Sequence, residues 1–230
     1  MIYITGDTHG DIARFSGAGA RCLKKGDTVI VCGDFGFLWD GSPEEEKVLD
    51  KLAKKKYQIL FVDGTHENFD LLRKLPQEEW CGGQVHKVRE NVLHLMRGQV
   101  FEIEGKRIFT FGGGENPDKE IRLEAKRWWE CEMPTVQEMR VGVQNLDRFD
   151  RKVDYIVTHE PPLRVRGMLL GDPNYINALE AFLDELSKAA AYEKWFFGSL
   201  HIDRKLSGKN YAVFRQFIPV EEPAGRKGRR

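Results

Sequence analysis

"MIYITGDTHGD", residues 1–11, sets an apolar β-branched run directly before a polar turn that carries Asp7, His9 and Asp11. Ile2, Tyr3, Ile4 and Thr5 read as a strand, and Gly6-Asp7 reads as the turn that ends it. Turn chemistry accounts for Gly6 and Asp7 but not for His9. Asp7 and His9 stand two residues apart, a spacing at which both side chains can face one cation.

The same arrangement recurs along the chain. Short apolar runs lie at "DTVIVC" (27–32), "QILFV" (58–62), "KRIFTF" (106–111), "VDYIVT" (153–158) and "KWFFG" (194–198), each ending at or beside Gly, Asp or His. Several show little alternation, as strands buried on both faces do. Helical patterns separate them at 42–56, 135–149 and 175–191. The first has Ser42 to cap it, Pro43 at its first position, acids in its first turn and lysines in its last. The stretch 92–111 alternates and turns at Gly98 and Gly105, which predicts antiparallel strands. Strands alternating with helices, plus a meander, give an α/β architecture with a mixed sheet or two packed sheets. A single domain is expected over residues 1–220, with a disordered basic tail over 221–230.

Composition narrows the function. Thirty-six basic residues balance thirty-six acidic ones, so no net charge draws the chain toward nucleic acid. The only basic run is "GRKGRR", 225–230, read as a solvated end. Four cysteines (Cys22, Cys32, Cys81, Cys131) form no C-x-x-C pair, against both a thiolate zinc site and a disulfide framework. No leader pattern precedes the first strand and no apolar run reaches membrane-spanning length, so a cytoplasmic protein without a membrane partner is expected.

The polar residues at the strand exits carry the chemistry. The first exit delivers Asp7 and His9, the second ("VCGDFG") Asp34, and the third ("VDGTHEN") His66, Glu67 and Asn68. "VTHEPP" delivers His159 and "FFGSLHID" delivers His201. Any one of these has a bland reading as a turn residue. Five such clusters, all where ligands bind in open α/β sheets, do not. His86 and His94 lie among strand-like residues and keep a structural reading.

The order and content of these clusters resembles the calcineurin-like metallophosphoesterase superfamily, whose pattern is D-x-H, G-D, G-N-H-[ED], a lone His, then G-H-x-H. The resemblance spans about residues 1–203 and implies a four-layer α-β-β-α sandwich of two mixed sheets flanked by helices. It implies one ion held by Asp7, His9, Asp34 and His201, with Asp34 bridging to a second ion that His159 also binds. It implies that His66 gives a proton to the leaving group. Mixed carboxylate and imidazole ligands suit Mn²⁺ first, or Fe or Zn²⁺, one or two per chain. Paired ions bind phosphoryl oxygens and acidify water, so a phosphate mono- or diester is the implied substrate, on a small molecule or a phosphoprotein.

Two positions depart from the pattern, both at the second ion. Thr65 replaces the asparagine and Ser199 replaces the first histidine of G-H-x-H. Their hydroxyls are weak second-site ligands at best, which opens an alternative: an attenuated protein that binds metal and phosphate and acts through a ligand or partner. Phosphotransfer through an aspartate nucleophile ranks last, because it leaves four histidines unexplained. In the protein-phosphatase branch an aspartate orients the acid histidine; Phe37 holds that position, leaving Asp40 or Asp63 to substitute. Asn68, Arg164 and Arg166 are candidates to contact substrate. "FTFGGGEN" (109–116) reads as a tight turn, with Glu115 and Asn116 as candidates to line the cleft, and the tryptophans of "KRWWECEMPT" as core or lid packing.

Overall fold

Every residue of the strand Thr28–Cys32 is buried, and its side chains alternate between two separate apolar clusters. Val29 and Val31 face one; Ile30 and Cys32 face the other. Lys194–Phe197 does the same, with Trp195 and Phe197 on one side and Phe196 on the other. A strand that buries both faces needs cover on both, and two such strands in different sheets require layers.

The computed structural model describes residues 1–172, 176–206 and 208–221. Its strands are β1 (Ile2–Thr5), β2 (Thr28–Cys32), β3 (Gln58–Val62), β4 (Gln77–Trp80), β5 (Gly83–Arg89), β6 (Val92–Leu95), β7 (Gln99–Ile103), β8 (Lys106–Phe111), β9 (Tyr155–Thr158), β10 (Lys194–Phe197), β11 (Arg204–Lys205), β12 (Asn210–Ala212) and β13 (Ile218–Pro219). The α-helices are α1 (Pro43–Ala53), α2 (Phe69–Leu72), α3 (Lys119–Glu124), α4 (Val136–Asp147), α5 (Leu163–Leu170) and α6 (Ala178–Ala189). One sheet runs β13-β1-β2-β3-β6-β5-β4 and the other β11-β12-β10-β9-β8-β7. Each has four parallel strands at its heart (β1, β2, β3, β6; and β12, β10, β9, β8) with antiparallel strands outside them.

The fold is therefore the expected sandwich of two mixed sheets flanked by helices. Ile4, Ile30, Leu60, Phe101, Ile108, Val157 and Phe196 fill the space between the sheets. Leu49 and Leu52 of α1 cover the outer face of the first sheet; Leu146 of α4 and Leu179, Leu183 and Leu186 of α6 cover the second. Caps set the helix starts. Ser42 accepts from Glu45 N, Thr135 forms a capping box with Glu138, and Asn177 accepts from Glu180 N. Each helix is shorter than its sequence pattern, and Tyr175, where the third pattern began, lies outside the described residues, as do residues 222–230 of the basic tail. All four cysteines are free, and no described helix is long and apolar enough to cross a membrane.

One expectation is corrected. Gly105 does close a hairpin, β7–β8. Gly98 does not: β6 pairs in parallel with β3 in the first sheet, while β7 lies at the edge of the second. The chain crosses between sheets there, with Gly98 at φ +70° and an added Cβ only 2.7 Å from the Gly142 backbone. Alternation looks the same on either side of a crossover, so the sequence could not reveal it. β4 and β5 also went unread, because "QEEW" and "GQVHKVR" carry too many polar residues to resemble the central strands.

The histidines of β5 and β6 form a buried relay. Gln77 Nε2 lies 3.2 Å from His86 Nε2, His86 Nδ1 is 2.9 Å from His94 Nδ1, and His94 Nε2 is 3.1 Å from Asp63 Oδ1. Because the run ends on the Asp63 carboxylate, with the Gln77 amide nitrogen donating at its other end, the order that satisfies the atoms has His94 donating to Asp63 and His86 donating to His94. Burial, aided by His94, pushes His86 down to about 4. A histidine with a depressed folded pKa leaves the unfolded chain binding more protons below pH 6.5, so its contribution to stability falls as pH falls from 6.5 to 4. Urea unfolding should therefore show a stability loss over that window of up to about 3 kcal/mol that His86→Gln lacks. Parallel pH profiles for the two proteins would refute the assignment.

Candidate metal centre

Three residues that the sequence singled out adopt left-handed backbone: His9 at φ 45°, Asp34 at 43° and His201 at 52°. Such conformations cost about 1–3 kcal/mol each in a non-glycine residue and persist where surrounding structure overdetermines them. Here each is the residue that turns a strand exit toward the seam between the sheets. Two glycines make the approach possible. A Cβ on Gly33 (φ +98°) would stand 2.0 Å from His159 Nδ1, and one on Gly198 would stand 2.3 Å from Asp7 Oδ1.

The exits converge on two overlapping nests. In the first, His201 Nε2 is 2.9 Å from Asp7 Oδ2, His9 Nε2 is 4.0 Å from the same oxygen, and the two Nε2 atoms face each other at 3.0 Å. Asp34 Oδ2 lies 3.9 Å from His9 Nδ1. In the second, His159 Nδ1 is 3.6 Å from Asp7 Oδ1 and its Nε2 is 3.7 Å from Asp34 Oδ1. Asp7–His9–His201 and Asp7–Asp34–His159 each bring three donor atoms within 4.8 Å of one another, as does His9–Asp34–His66.

These residues fit a divalent cation. Asp7 is 1 % exposed, and neither carboxylate oxygen accepts an aligned hydrogen bond. Burying an unsatisfied carboxylate is costly unless a cation is close. Donor atoms bound at 2.0–2.2 Å around one ion stand about 3–4 Å apart, and Asp7 Oδ2, His201 Nε2 and His9 Nε2 are separated by 2.9, 3.0 and 4.0 Å. His159 Nδ1 lies 3.1 Å from the Cys32 carbonyl, which fixes the tautomer and leaves Nε2 to face inward.

The charges are organised around Asp34. Burial alone would raise its carboxyl, but His159, then His66 through a hydrogen bond and charge, then His9 hold it well below the usual range. Burial would lower His159, yet Asp34 and Asp7 hold it well above the ordinary value. His201 is raised by its contact with Asp7. His9 is lowered, because its burial outweighs Asp34 and Asp7.

The remaining sequence candidates divide. His66 Nδ1 is 2.7 Å from Asp34 Oδ2, so neither suggested partner orients it: Asp40 accepts from Ser42 N, and Asp63 holds His94 and Arg97. Thr65 Oγ1 lies 3.3 Å from His66 Nδ1, and Ser199 Oγ donates to Glu160 Oε2 at 2.8 Å. Glu67 is fully buried; its two oxygens accept from Phe35 N and Gly64 N, bracing the exits of β2 and β3 rather than facing the nests. Asn68 is spent on capping α2 and donating to the Trp39 carbonyl. Arg164 pairs with Asp184 and is largely exposed, whereas Arg166 Nε is 3.2 Å from Glu180 Oε1 and lines the cleft. Asn116 is buried against Glu132, while Glu115 is exposed. Trp129 packs between Trp39 and Phe69.

Two residues were missed. Arg122 on α3 contacts His66 Nε2 and donates to Thr65 O, but in "KEIRLEAKRWW" it looked like one more charge on a solvated face. Glu180 is 1 % exposed at the cleft, and burial, then Glu160, push it up to about 8. It reads from sequence as an ordinary first-turn acid of α6.

The nests open into a cleft of about 250 Å³ bounded by Asp34, Thr65, His66, His159, Glu160, Ser199 and His201. A solved phosphopantetheinyl hydrolase from Mycobacterium tuberculosis is similar at 15 % identity and a TM-score of 0.45, over 93 % of this chain and 89 % of that one. No curated protein matches by sequence. Residues 1–196 match the calcineurin-like phosphoesterase family, whose members use divalent metal ions, and the chain belongs to it.

Proposed function

We propose that this protein is a metal-dependent hydrolase of phosphate mono- or diesters. The observation that carries the reading is the buried Asp7 carboxylate, which accepts no aligned hydrogen bond and faces two imidazole nitrogens that themselves stand 3.0 Å apart. Asp7, His9, Asp34 and His201 would hold one ion, and Asp34 with His159 a second. Mn²⁺ suits such a mixed set of carboxylates and imidazoles, as do Fe and Zn²⁺. Bound ions supply Lewis acidity toward phosphoryl oxygens and lower the pKa of water. Asp34 orients His66 through Nδ1, so Nε2 is the atom placed to deliver a proton to a leaving oxygen. The substrate classes that fit are phosphorylated small molecules and phosphoproteins. The neutral net charge weighs against long nucleic acid.

The second nest supports an unequal pair. Ser199 is engaged with Glu160 and Thr65 stands against His66, so hydroxyls occupy the places where the family pattern has an amide and an imidazole. This also favours a second reading, an attenuated protein that binds metal and phosphate with little turnover.

Metal-stripped protein should be inactive on p-nitrophenyl phosphate and on its bis ester, and Mn²⁺ should restore hydrolysis of one of them. Asp34→Asn should lower Mn²⁺ affinity and activity more than about 100-fold, beyond the loss typical of a residue that only orients a ligand. Glu67→Gln should cost less. Metal binding without turnover would favour the attenuated reading, and equal losses for the two variants would remove Asp34 from its bridging role.

Calorimetry should resolve one tight and one weak Mn²⁺ site. Restoring the pattern with Thr65→Asn and Ser199→His should tighten the weak site at least about 10-fold. Two tight, equivalent events in the natural chain would mean that other donors complete the second nest.

A further inference from the structure

The cation closest to His66 comes from outside the strand exits. Arg122 lies in the segment between β8 and α4. Its Nη1 donates to the Thr65 carbonyl at 3.0 Å, its Nη2 meets His66 Nε2, and its Cζ lies 5.3 Å from the centre of the Trp39 ring. These partners are a carbonyl, an imidazole and an indole, none of them anionic. Its charge reaches Glu132, but that carboxylate already accepts from Asn116 Nδ2 and Trp129 N.

The position is built. Asn116 Nδ2 donates to Glu132 Oε2 at 2.8 Å, Gly114 N to Glu132 O at 3.1 Å, and Gly113 N to Asp63 O at 2.8 Å. Buried Arg97 donates to Asp63 and to the carbonyls of Cys131 and Glu132. Arg122 is thus carried by a segment tied at both ends to the exit of β3. A half-buried guanidinium beside a cleft, with only neutral hydrogen-bond partners among the described residues, is a cation placed to take an anion. Its fork can take two oxygens of one phosphoryl group, which a lysine cannot.

We propose that Arg122 binds the phosphoryl group of the substrate. This rests on the phosphoesterase reading. Its guanidinium exchanges the His66 contact for non-bridging oxygens, on the side of the cleft where Thr65 and Ser199 offer only hydroxyls. The exchange also frees His66 Nε2, which accepts from Arg122 before substrate binds, to take up a proton from solvent and then give it to the leaving oxygen. Arg122 is then a catalytic residue supplied by α3. If it were only a brace for Thr65 and Trp39, its loss would change stability and leave phosphate affinity alone.

The test is inorganic phosphate binding to Mn²⁺-loaded protein by calorimetry, with Mn²⁺ content measured alongside. Arg122→Gln should weaken phosphate about 10- to 100-fold, the scale of a lost charge-assisted hydrogen-bond pair, with Mn²⁺ content unchanged. Arg122→Lys should fall between the two, keeping charge without the fork. Arg127→Gln is the control: Arg127 also stacks on Trp39 and donates to its carbonyl, and its loss should leave phosphate affinity alone. With p-nitrophenyl phosphate, Arg122→Gln should raise KM as well as lower kcat. Natural phosphate affinity in Arg122→Gln, or no phosphate binding by the natural protein, overturns the assignment. Turnover by the natural protein with unchanged affinity in the variant removes Arg122 alone. Phosphate binding that depends on Arg122 without any turnover removes the hydrolase reading and keeps the arginine.

Discussion

Asp34 joins three strand exits through one residue. Its carbonyl accepts from Thr8 N at 3.1 Å and His9 N at 2.8 Å, which fixes the turn after β1. Its Oδ1 accepts from Thr65 N at 2.5 Å and His66 N at 2.9 Å, and its Oδ2 meets His66 Nδ1, which fixes the turn after β3. The exits of β1, β2 and β3 are therefore one hydrogen-bonded unit, and Glu67 repeats the tie from behind. The left-handed backbone at Asp34 follows from this. At φ 43° Asp34 presents its carbonyl to the turn after β1 and its carboxylate to the turn after β3. The cost is local, and it is met by the apolar layers on either side of the strands.

Much of that arrangement was legible in the chain. Uniformly apolar runs such as "TVIVC" gave the central parallel strands, because only a strand buried on both faces tolerates valine and isoleucine at every position. Gly33 and Gly198 stand where the exits pack too closely for a side chain, so the punctuation that marked the strand ends also marked the site. Ser42-Pro43 placed the start of α1 through backbone chemistry that is local by nature. What the sequence did not disclose was non-local. The crossover at Gly98 depends on which sheet claims β7, and the edge strands β4 and β5 obey neither burial rule. Asp34 as the partner of His66 could not be found by counting from a motif, since the contact joins two different exits.

The segment from Gly112 to Pro134 shows the same limit at the level of function. Its charged residues, "DKEIRLEAKR", look like a solvated helix, and Ile121 and Leu123 are indeed exposed. Arg122 turns inward only because the segment is pinned by Asp63, and Asp63 is held by Arg97 and His94. Burial would raise the Asp63 carboxyl, but Arg97 and then His94 keep it well below the usual range. A structural ion pair therefore helps to place the arginine that stands against two residues of the cleft wall, Thr65 and His66. His86 and His94, which the sequence treated as structural, belong to that support.

Charge explains why the cleft would need such a residue. Among the buried acids nearby, burial and Asp34 push Glu67 well above its ordinary value, and burial and Glu160 take Glu180 up to about 8. Glu180 is then largely neutral at pH 7, and Asp7 and Asp34 are the carboxylates whose oxygens stand in both nests. One divalent ion between them is electrically balanced and offers little net pull on a phosphate dianion. Extra positive charge must come either from a second ion or from the protein. In the proposed reaction the second nest, with the hydroxyls of Thr65 and Ser199 where the family pattern has an amide and an imidazole, would be the weaker source. Arg122 stands against Thr65, on that same side, and a fixed guanidinium needs no occupancy to be present. In the proposed reaction the lost ligands and the inserted arginine thus offset one another: binding of the phosphoryl group comes to depend less on a second metal and more on how α3 is held.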